Sequence, residues 1–421
     1  MHILWVKMGG LWPPTAGGRI RSLETLSWLS TRHEVTVVTT HRSGDDSDGL
    51  VRRLPGCSVR SIPYAAPRVG TAAFTWALAG SYGSRLPVDL WKWQVPAVRE
   101  HVRTLLAAQP VDLIVADFLV SWPNLPHSPR VPTVLFEHNV EHQIWRRIAD
   151  LERRPWRRAL IEVEYARMRR AERRACANAD LVVTVSEADR RQLRALAPSS
   201  RCVAIPTGVN TEYFRPGGCR EVADRLVFTG SMDWYPNEDA VLFFADAVLP
   251  RVRASLPGAT FTIVGRNPGP RVRALGGRVG IQITGTVDDV RPFVDEAALY
   301  VVPLRAGGGT RLKIFEALAM GKPVVSTTVG AEGLAVTPGH DIAIADTPHA
   351  FADTVVALLR DPWRRQALAR AGRRLVERKY SWAQVAGEFA DWCEAVRDRA
   401  GAPQRVAGRA DITTVPMGRS L

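Results

Sequence analysis

The chain has 421 residues, which is long enough for two domains with substantial hydrophobic cores. Hydrophobic residues make up 46% of it, no apolar run is long enough for a membrane-spanning helix, and the amino terminus enters a strand without a secretory signal pattern. Arginine accounts for most of the net charge of +14, and the five cysteines are scattered without a C-x-x-C pair, so we expect reduced thiols in a cytosolic protein.

In the first half of the chain, short apolar segments alternate with helical patterns, which predicts parallel βα units. The predicted strands are 3–7, 35–40, 111–116, 131–136, 181–185 and 203–205. A glycine-containing turn at 9–18 leads into a helix at 19–30, and residues 43–50 are predicted to be a loop. The unit lacks the dinucleotide fingerprint, because G-x-G-x-x-G is missing and no acidic residue ends the second strand.

Two further segments of this half have unusual compositions. Residues 64–98 are rich in aromatic side chains, which we interpret as core packing, with an acceptor groove or a bilayer contact as alternatives. Residues 141–177 predict a pair of charged helices, in which 141–174 holds 11 arginines against 6 acidic residues. This excess favours contact with an anionic membrane as much as it favours an ordinary solvated surface.

The second half repeats the alternation after a turn-rich connector at 206–210. The predicted strands are 226–228, 260–264, 281–284, 299–304, 324–327 and 341–345. Helices are expected over 348–378 and 381–398, and residues 399–421 are expected to be a disordered tail. We therefore predict an α/β chain with two Rossmann-like, doubly wound parallel-sheet domains facing across a cleft.

The block from 301 to 334 contains the strongest chemical signal, VVPLRAGGGTRLKIFEALAMGKPVVSTTVGAEGL. A strand, a glycine-rich loop and a helix start together predict an anion site, because free N–H groups and the positive end of the helix dipole point at the loop. Arg311 and Lys313 add two cations, and Glu316 could accept two hydrogen bonds from a ribose diol. Alternatively, Thr310 is only a helix cap, and Lys313 with Glu316 is an ordinary helix pair.

The order of motifs resembles one known family. GGR follows the first strand, EHN follows a mid-domain strand, IPTGVN lies at the junction, and FTGS, IVG, TGTV and GGGTRLKIFEALAMGKPVVST follow in the second half. This order is similar to that of the retaining GT-B glycosyltransferases of the glycosyltransferase 4 group, and within it to the exopolysaccharide-biosynthesis type. The resemblance runs from about residue 1 to 395 and is strongest over 226–334.

The resemblance implies a GT-B fold and roles for particular residues. It implies an acceptor-side domain at 1–205, a nucleotide-sugar domain at 206–378 and a helix at 379–398 that crosses back to the first domain. Glu316 matches the family's ribose ligand, and His138 matches a histidine near the donor sugar. The catalytic residues that we predict are His138, Arg311, Lys313 and Glu316; the donor-binding residues are Gly17, Gly18, Arg19, Gly230, Gly265, Gly285, Thr286, Val287, Gly307, Gly308, Gly309 and Thr310.

The chain departs from the family pattern at two points. Many members carry a second glutamate eight positions before the one that matches Glu316, and here that position is Gly308. Many also carry an arginine and a lysine after the glycine that matches Gly230, where this chain has SMDWYPN. We therefore expect Arg311 and Lys313 to neutralise the diphosphate, and the backbone N–H groups of 307–310 to take over the sugar contact.

The predicted function is transfer of a hexose from a nucleoside-diphosphate sugar to a glycan or lipid-linked acceptor, with retention and without a metal or other cofactor. A nucleotide-sugar epimerase of the same fold and a nucleotide-sugar-binding scaffold are the alternatives. Nucleic acid is not an expected partner, because the arginines belong to no recognisable binding module. The expected location is the cytoplasm, with peripheral attachment to the inner face of the cell membrane as an alternative to free solution.

Overall fold

The computed structural model describes residues 1–14, 17–126, 130–306 and 312–401. In this part of the chain the strands form two sheets, one of seven and one of six strands, and every strand pairing within them is parallel. The two doubly wound sheets expected from the alternating pattern are therefore both present.

The first sheet has the strand order β3-β2-β1-β4-β5-β6-β7. Its strands are His2–Lys7 (β1), Glu34–His41 (β2), Cys57–Pro63 (β3), Leu113–Asp117 (β4), Thr133–Phe136 (β5), Leu181–Thr184 (β6) and Cys202–Ala204 (β7). Every residue of β1 is buried, and alternate side chains enter two separate cores: Ile3 and Trp5 join one, Leu4 and Val6 the other. Because both faces of this sheet are covered, its central strands are continuous apolar runs.

Eight α-helices accompany these strands in the described residues, together with a 3-10 helix at Leu119–Asn124. They are Gly17–Leu29 (α1), Ser47–Arg53 (α2), Ala72–Tyr82 (α3), Val88–Trp91 (α4), Pro96–Ala108 (α5), Glu141–Leu151 (α6), Pro155–Asn178 (α7) and Glu187–Leu196 (α8). The predicted charged helix pair corresponds to α6 and α7. The loop prediction for 43–50 is wrong in its second half, because the Asp46 side chain caps a short helix by accepting the Gly49 N–H.

The aromatic segment is only partly core. Trp93 is half-buried, and its ring centroid lies 5.7 Å from that of Tyr64. Trp76, however, is 78% exposed and Tyr82 is 47% exposed. The core interpretation is therefore wrong for α3, in which only Ala77 and Ser81 are buried.

The second sheet has the strand order β10-β9-β8-β11-β12-β13. Its strands are Val222–Thr229 (β8), Thr260–Val264 (β9), Ile281–Gly285 (β10), Ala297–Val302 (β11), Val324–Ser326 (β12) and Ala343–Ile344 (β13). Its helices are Tyr235–Phe243 (α9), Leu249–Ser255 (α10), Pro270–Leu275 (α11), Arg291–Glu296 (α12), Leu312–Ala319 (α13), Pro348–Arg360 (α14) and Pro362–Lys379 (α15). Phe244–Val248 joins α9 to α10 as a π-helical turn.

The last helix, Trp382–Gly401 (α16), packs on the first domain. Trp382, Phe389 and Cys393 belong to the first domain's core, where the Phe389 ring lies 5.9 Å from that of Trp5. The chain therefore passes between the sheets twice, and the two passages are hydrogen-bonded to each other at Val209. The helix runs to Gly401, beyond the predicted start of a tail at 399, and residues 402–421 lie outside the described residues.

Candidate active site between the two domains

Two helix amino termini face each other between the domains. Helix α1 begins at Gly17 in the first domain and α13 begins at Leu312 in the second. A Cβ atom placed on Gly17 would lie only 3.9 Å from Leu312 Cδ1. A helix amino terminus carries N–H groups without intrahelical partners and the positive end of the helix dipole, so two of them close together favour an anion. The predicted residues Gly307, Gly308, Gly309, Thr310 and Arg311 lie outside the described residues.

Lys313 lies in the first turn of α13 and is held in place from β8 and α9. Its Nζ donates a 2.7 Å hydrogen bond to Asn237 Oδ1 and lies 4.1 Å from the centroid of the Phe228 ring. A Cβ atom on Gly230 would come within 2.8 Å of Lys313 Nζ and 2.7 Å of Asn237 Nδ2. Glycine at 230 therefore leaves the space that the lysine and the asparagine occupy.

Glu316 lies one turn further along α13 and is half-buried. Burial raises the pKa of its carboxyl to about 7, against the opposing attraction of Lys313. The nearby Tyr300 hydroxyl is buried and hydrogen-bonded to Thr229 at 2.5 Å, and burial raises its pKa as well. Glu316 therefore changes charge near neutral pH, and in its ionised form the carboxylate can accept hydrogen bonds at both oxygens.

Three glycines line up where β8, β9 and β10 end. Gly230 N–H donates to the Val264 carbonyl at 3.0 Å, and Gly265 N–H donates to the Gly285 carbonyl at 3.2 Å. A Cβ atom on Gly265 would collide with the carbonyl of Gly230, so this close approach requires glycine. Thr286 is exposed and Val287 packs against the second domain's core. The three glycines form a backbone-lined floor, and Gly230 lies beside Lys313 of α13.

On the first domain, His138 is bound to a buried ion pair. His138 Nε2 hydrogen-bonds Asp117 Oδ1 at 2.8 Å, and Lys7 Nζ donates to the same oxygen at 2.9 Å. Trp5 Nε1 donates to the other carboxylate oxygen at 2.9 Å. Burial disfavours the charge on Asp117, but Lys7 and His138 outweigh it and hold the pKa of the carboxyl below its usual range.

His138 itself is neutral at physiological pH. Burial lowers its pKa to about 3, although Asp117 pulls in the opposite direction. A neutral ring that donates from Nε2 to the carboxylate leaves the lone pair of Nδ1 unprotonated. A Cβ atom on Gly18 would lie 3.4 Å from this Nδ1 and 2.9 Å from Phe118 Cζ. The histidine therefore lies beside the amino terminus of α1, stacked on Phe118 at 3.9 Å between ring centroids.

A buried glutamate of α7 holds the segment just after His138. Glu172 of α7 accepts the backbone N–H groups of Glu141 at 2.8 Å and His142 at 3.2 Å, and it also bonds the His142 ring. It thereby caps α6, which starts just after the histidine. On the other side, the buried guanidinium of Arg21 donates to the Glu137 carbonyl at 2.7 Å.

Arg19, predicted to bind the donor, contacts the 9–13 turn in this structure. Its guanidinium donates to the carbonyls of Gly9 at 3.0 Å and Pro13 at 3.1 Å. Its neighbours Gly17 and Gly18 lie at the cleft. Of the predicted residues that are described, the structure therefore brings together Lys313, Glu316 and the glycine floor on one domain, and His138, Gly17 and Gly18 on the other.

Sequence reasoning assigned no site role to Lys7, Asp117 and Asn237, although Asp117 follows the predicted strand 111–116 at an edge where such sheets bind ligands. One signal was available for the first two, because Lys7 ends the first strand and Asp117 ends β4. In a doubly wound sheet these two strands are neighbours, and here Lys7 and Asp117 are partners in the register of the sheet. The Asn237 contact with Lys313 spans 76 residues and had no comparable signal.

Comparison with known protein families gives two adjoining matches. Residues 17–213 match the profile described as Glycosyltransferase Family 4, and residues 223–361 match the profile described as Glycosyl transferases group 1. The chain is 31% identical over 219 residues to phosphatidyl-myo-inositol mannosyltransferase of Mycobacterium leprae, covering 49% of this chain and 57% of that protein.

A second relative has a similar description. It is GDP-mannose-dependent alpha-(1-6)-phosphatidylinositol monomannoside mannosyltransferase of Mycobacterium tuberculosis, 27% identical over 239 residues, which are 51% of this chain and 61% of that protein. The matches to both curated relatives thus span little more than half of each relative's length.

A solved structure matches almost the whole chain. Sucrose-phosphate synthase from Thermosynechococcus elongatus superimposes with a TM-score of 0.66 at 17% identity, covering 95% of this chain and all of that one. At this identity the match shows the fold alone, and it confirms the predicted GT-B arrangement of two parallel α/β domains. The two family profiles thus match successive domains of that fold, and both describe glycosyltransferases.

Proposed function

We propose that the protein is a glycosyltransferase that moves a hexose from a nucleoside-diphosphate sugar to a lipid-linked or glycan acceptor, with retention of the anomeric configuration. The observation that carries this proposal is the meeting of the amino termini of α1 and α13, where a Cβ atom on Gly17 would contact Leu312. A diphosphate between them would interact with both helix ends at once. Such electrostatic stabilisation of the leaving group is the main requirement of sugar transfer from a nucleotide.

Lys313 is the proposed cation for the diphosphate. Asn237 holds its Nζ beside the glycine floor, so little side-chain freedom is left to lose when the ligand binds. Arg311 is proposed as the second cation, in place of the pair that many family members carry after the glycine at position 230. With charge supplied by side chains and helix ends, we propose that transfer needs no divalent metal.

Glu316 is the proposed ribose ligand. Its carboxylate lies one turn beyond Lys313 along α13. In a nucleotide the ribose is attached next to the diphosphate, so a diphosphate at Lys313 would bring the ribose near Glu316. Gly285, Thr286 and Val287 lie at the end of β10 and are the proposed support for the base. The sugar would then lie toward the first domain, where His138 and Gly18 face the cleft.

His138 is proposed to contact the sugar and the acceptor. Its unprotonated Nδ1 can accept a hydrogen bond from a sugar or acceptor hydroxyl, while Asp117 fixes the ring through Nε2. We propose that the bond between the anomeric carbon and the diphosphate breaks while the acceptor oxygen bonds to the same face of the sugar. The acceptor proton passes to the departing phosphate oxygen, so retention needs no enzyme nucleophile.

The names of the relatives support a lipid-linked acceptor. The Mycobacterium leprae relative is described as acting on phosphatidyl-myo-inositol, and the Mycobacterium tuberculosis relative as dependent on GDP-mannose. We propose an acceptor of the same broad class, a membrane-borne lipid that carries a sugar or polyol. We also propose a role in cell-surface or exopolysaccharide synthesis on the cytoplasmic side of the membrane.

Product analysis tests the proposal. The protein is incubated with GDP-mannose and with other nucleoside-diphosphate sugars, with and without lipid extract, in the presence of a chelator. We expect release of nucleoside diphosphate and a glycosylated lipid only when the extract is present. Conversion of one nucleotide sugar into another without an acceptor would indicate an epimerase, and binding without turnover would indicate a scaffold. A strict requirement for Mg²⁺ would contradict the proposed charge scheme.

A further inference from the structure

Six large apolar side chains are exposed on neighbouring elements of the first domain. They are Val69, Trp76, Tyr82, Trp156, Leu160 and Val163, which we call the apolar strip. Val69 is 80% exposed, Trp76 78% and Trp156 61%. Single exposed apolar residues are common on protein surfaces, but a concentration of them marks a surface that binds something.

The first part of the strip is α3, a helix without a charged side chain. Its sequence is AAFTWALAGSY, and nine of its eleven residues are not fully buried. From Tyr64 to Pro87 the chain has no acidic residue, whereas Arg68 and Arg85 flank the helix and are exposed. Exposing the apolar faces of this helix to water costs free energy, and a partner that covers them would remove that cost.

The second part of the strip is the start of α7. Trp156, Leu160 and Val163 follow each other at helical spacing, so they lie on one face. Every residue from 153 to 160 is exposed, which means that the first turns of α7 project from the domain.

Arg167 connects the two parts. It lies one turn beyond Val163 on the same face of α7 and donates to the carbonyls of Ser84 at 3.1 Å and Leu86 at 2.6 Å, just after α3. Its guanidinium also lies 4.9 Å from the centroid of the Tyr82 ring. Arg167 therefore joins α7 to the carboxyl end of α3 and to the residues that follow it.

The charge around the strip is positive. The acidic residues of α7 are paired: Glu164 is buried against Arg167, Glu172 is buried against His142, and Glu162 bonds Arg146. Three exposed arginines at the projecting end of α7 have no carboxylate partner within the described residues, namely Arg153, Arg154 and Arg157. Arg157 lies over Trp156, with 5.1 Å between its guanidinium carbon and the ring centroid. Apolar side chains bordered by cations that no described carboxylate neutralises match the interface of a bilayer that contains anionic lipid.

We propose that the apolar strip is the surface by which the protein lies on an anionic membrane, with Trp76 and Trp156 entering the lipid interface. This inference rests on the proposed function, because a lipid-linked acceptor would reach the first domain from that membrane. No helix in the described residues is both long enough and apolar enough to cross a bilayer. Because insertion of the tryptophans and attraction of the arginines to anionic lipid both contribute, we expect membrane binding to weaken when either contribution is removed.

The test is sedimentation with vesicles of phosphatidylcholine containing roughly one quarter phosphatidylserine, a fraction that gives an anionic surface. We expect the full chain to pellet with them at low salt and to dissociate as salt screens the arginines. The double variant W76S/W156S is expected to bind at least about tenfold more weakly. The matched control is W363S, because Trp363 is 79% exposed but lies on α15 in the second domain.

The outcomes separate this proposal from its alternatives. Absence of binding at low salt, or equal losses for W76S/W156S and W363S, would overturn it. A parent dimer that becomes a monomer only in W76S/W156S would also overturn it, by assigning the strip to a second copy of the chain. Affinity for nucleoside diphosphate is measured on the same samples: if vesicle binding fails and nucleotide binding persists, only the membrane proposal is lost.

Discussion

Replacing Glu316 with glutamine removes the charge of the proposed ribose ligand and keeps its shape. A hydrogen bond to a charged acceptor contributes about 1.5–3 kcal/mol. Loss of about 2–3 kcal/mol corresponds to nucleotide binding that is roughly 30- to 150-fold weaker above pH 8, where the parent carboxyl is ionised. Because burial raises the pKa of Glu316 to about 7, the affinity of the parent should rise with pH through 7 and then level off.

Calorimetry with a nucleoside diphosphate at pH 6, 7 and 8 measures both effects. The ligand's own phosphates titrate equally in both experiments, so the difference in pH dependence between parent and E316Q belongs to Glu316. Glu332→Gln is a matched control, because Glu332 is an exposed glutamate of the same domain. Equal affinity of E316Q and parent at pH 8, or the same pH dependence in both, would refute the assignment.

The raised pKa of Glu316 also makes the stability of the fold depend on pH. A carboxyl whose pKa is raised on folding holds its proton more tightly in the folded state than in the unfolded one. Its contribution to stability is therefore fully present below the unfolded value near 4.5 and is lost as the pH rises through about 7. E316Q should melt at a higher temperature than the parent at pH 8 and at a similar temperature at pH 5. This trade of stability against a ligand charge is typical of a functional residue.

Two further predictions concern the cations and the histidine. The double change of Arg311 and Lys313 to glutamine should weaken binding of a nucleoside diphosphate about tenfold or more, because the diphosphate is the part of the ligand that contacts these cations. Binding of the nucleoside should be nearly unchanged. Equal losses in titrations of both ligands would mean that the two cations stabilise the helix and do not bind the ligand. His138→Ala should lower kcat by about a hundredfold with nucleotide affinity nearly unchanged, since its contact strengthens in the transition state. Turnover within a few-fold of the parent would make His138 a packing residue.

Most of the fold was predictable because its central strands are buried on both faces and therefore appear as apolar runs. Strand β3 was missed for the opposite reason. It lies at the edge of the first sheet, its residues alternate between partly buried and exposed, and Arg60 and Pro63 interrupt its apolar character. An edge strand with one solvent-exposed face has polar residues at alternate positions, so a search for apolar runs does not detect it.

The site was predictable only in part. Local motifs identified Lys313 and Glu316, which share one helix with the glycine loop. The pair formed by Lys7 and Asp117 depends instead on strand order, which brings residues 110 positions apart into one hydrogen bond. The core interpretation of α3 failed because composition alone does not distinguish an apolar helix that packs inside the protein from one that is exposed at its surface.

The double passage of the chain between the domains has a mechanical consequence. Val209 N–H donates to the Tyr380 carbonyl at 2.7 Å and Trp382 N–H donates to the Val209 carbonyl at 3.3 Å, so the two connections run side by side as a short ribbon. Gly208 lies so close to the Trp382 ring that a Cβ atom there would approach it to 2.6 Å. A ribbon bends easily across its flat face, but it resists torsion, because twisting one connection against the other would break these bonds. Two hydrogen-bonded connections therefore join the domains, and we expect them to limit rotation of one domain against the other more than a change in the width of the gap between them.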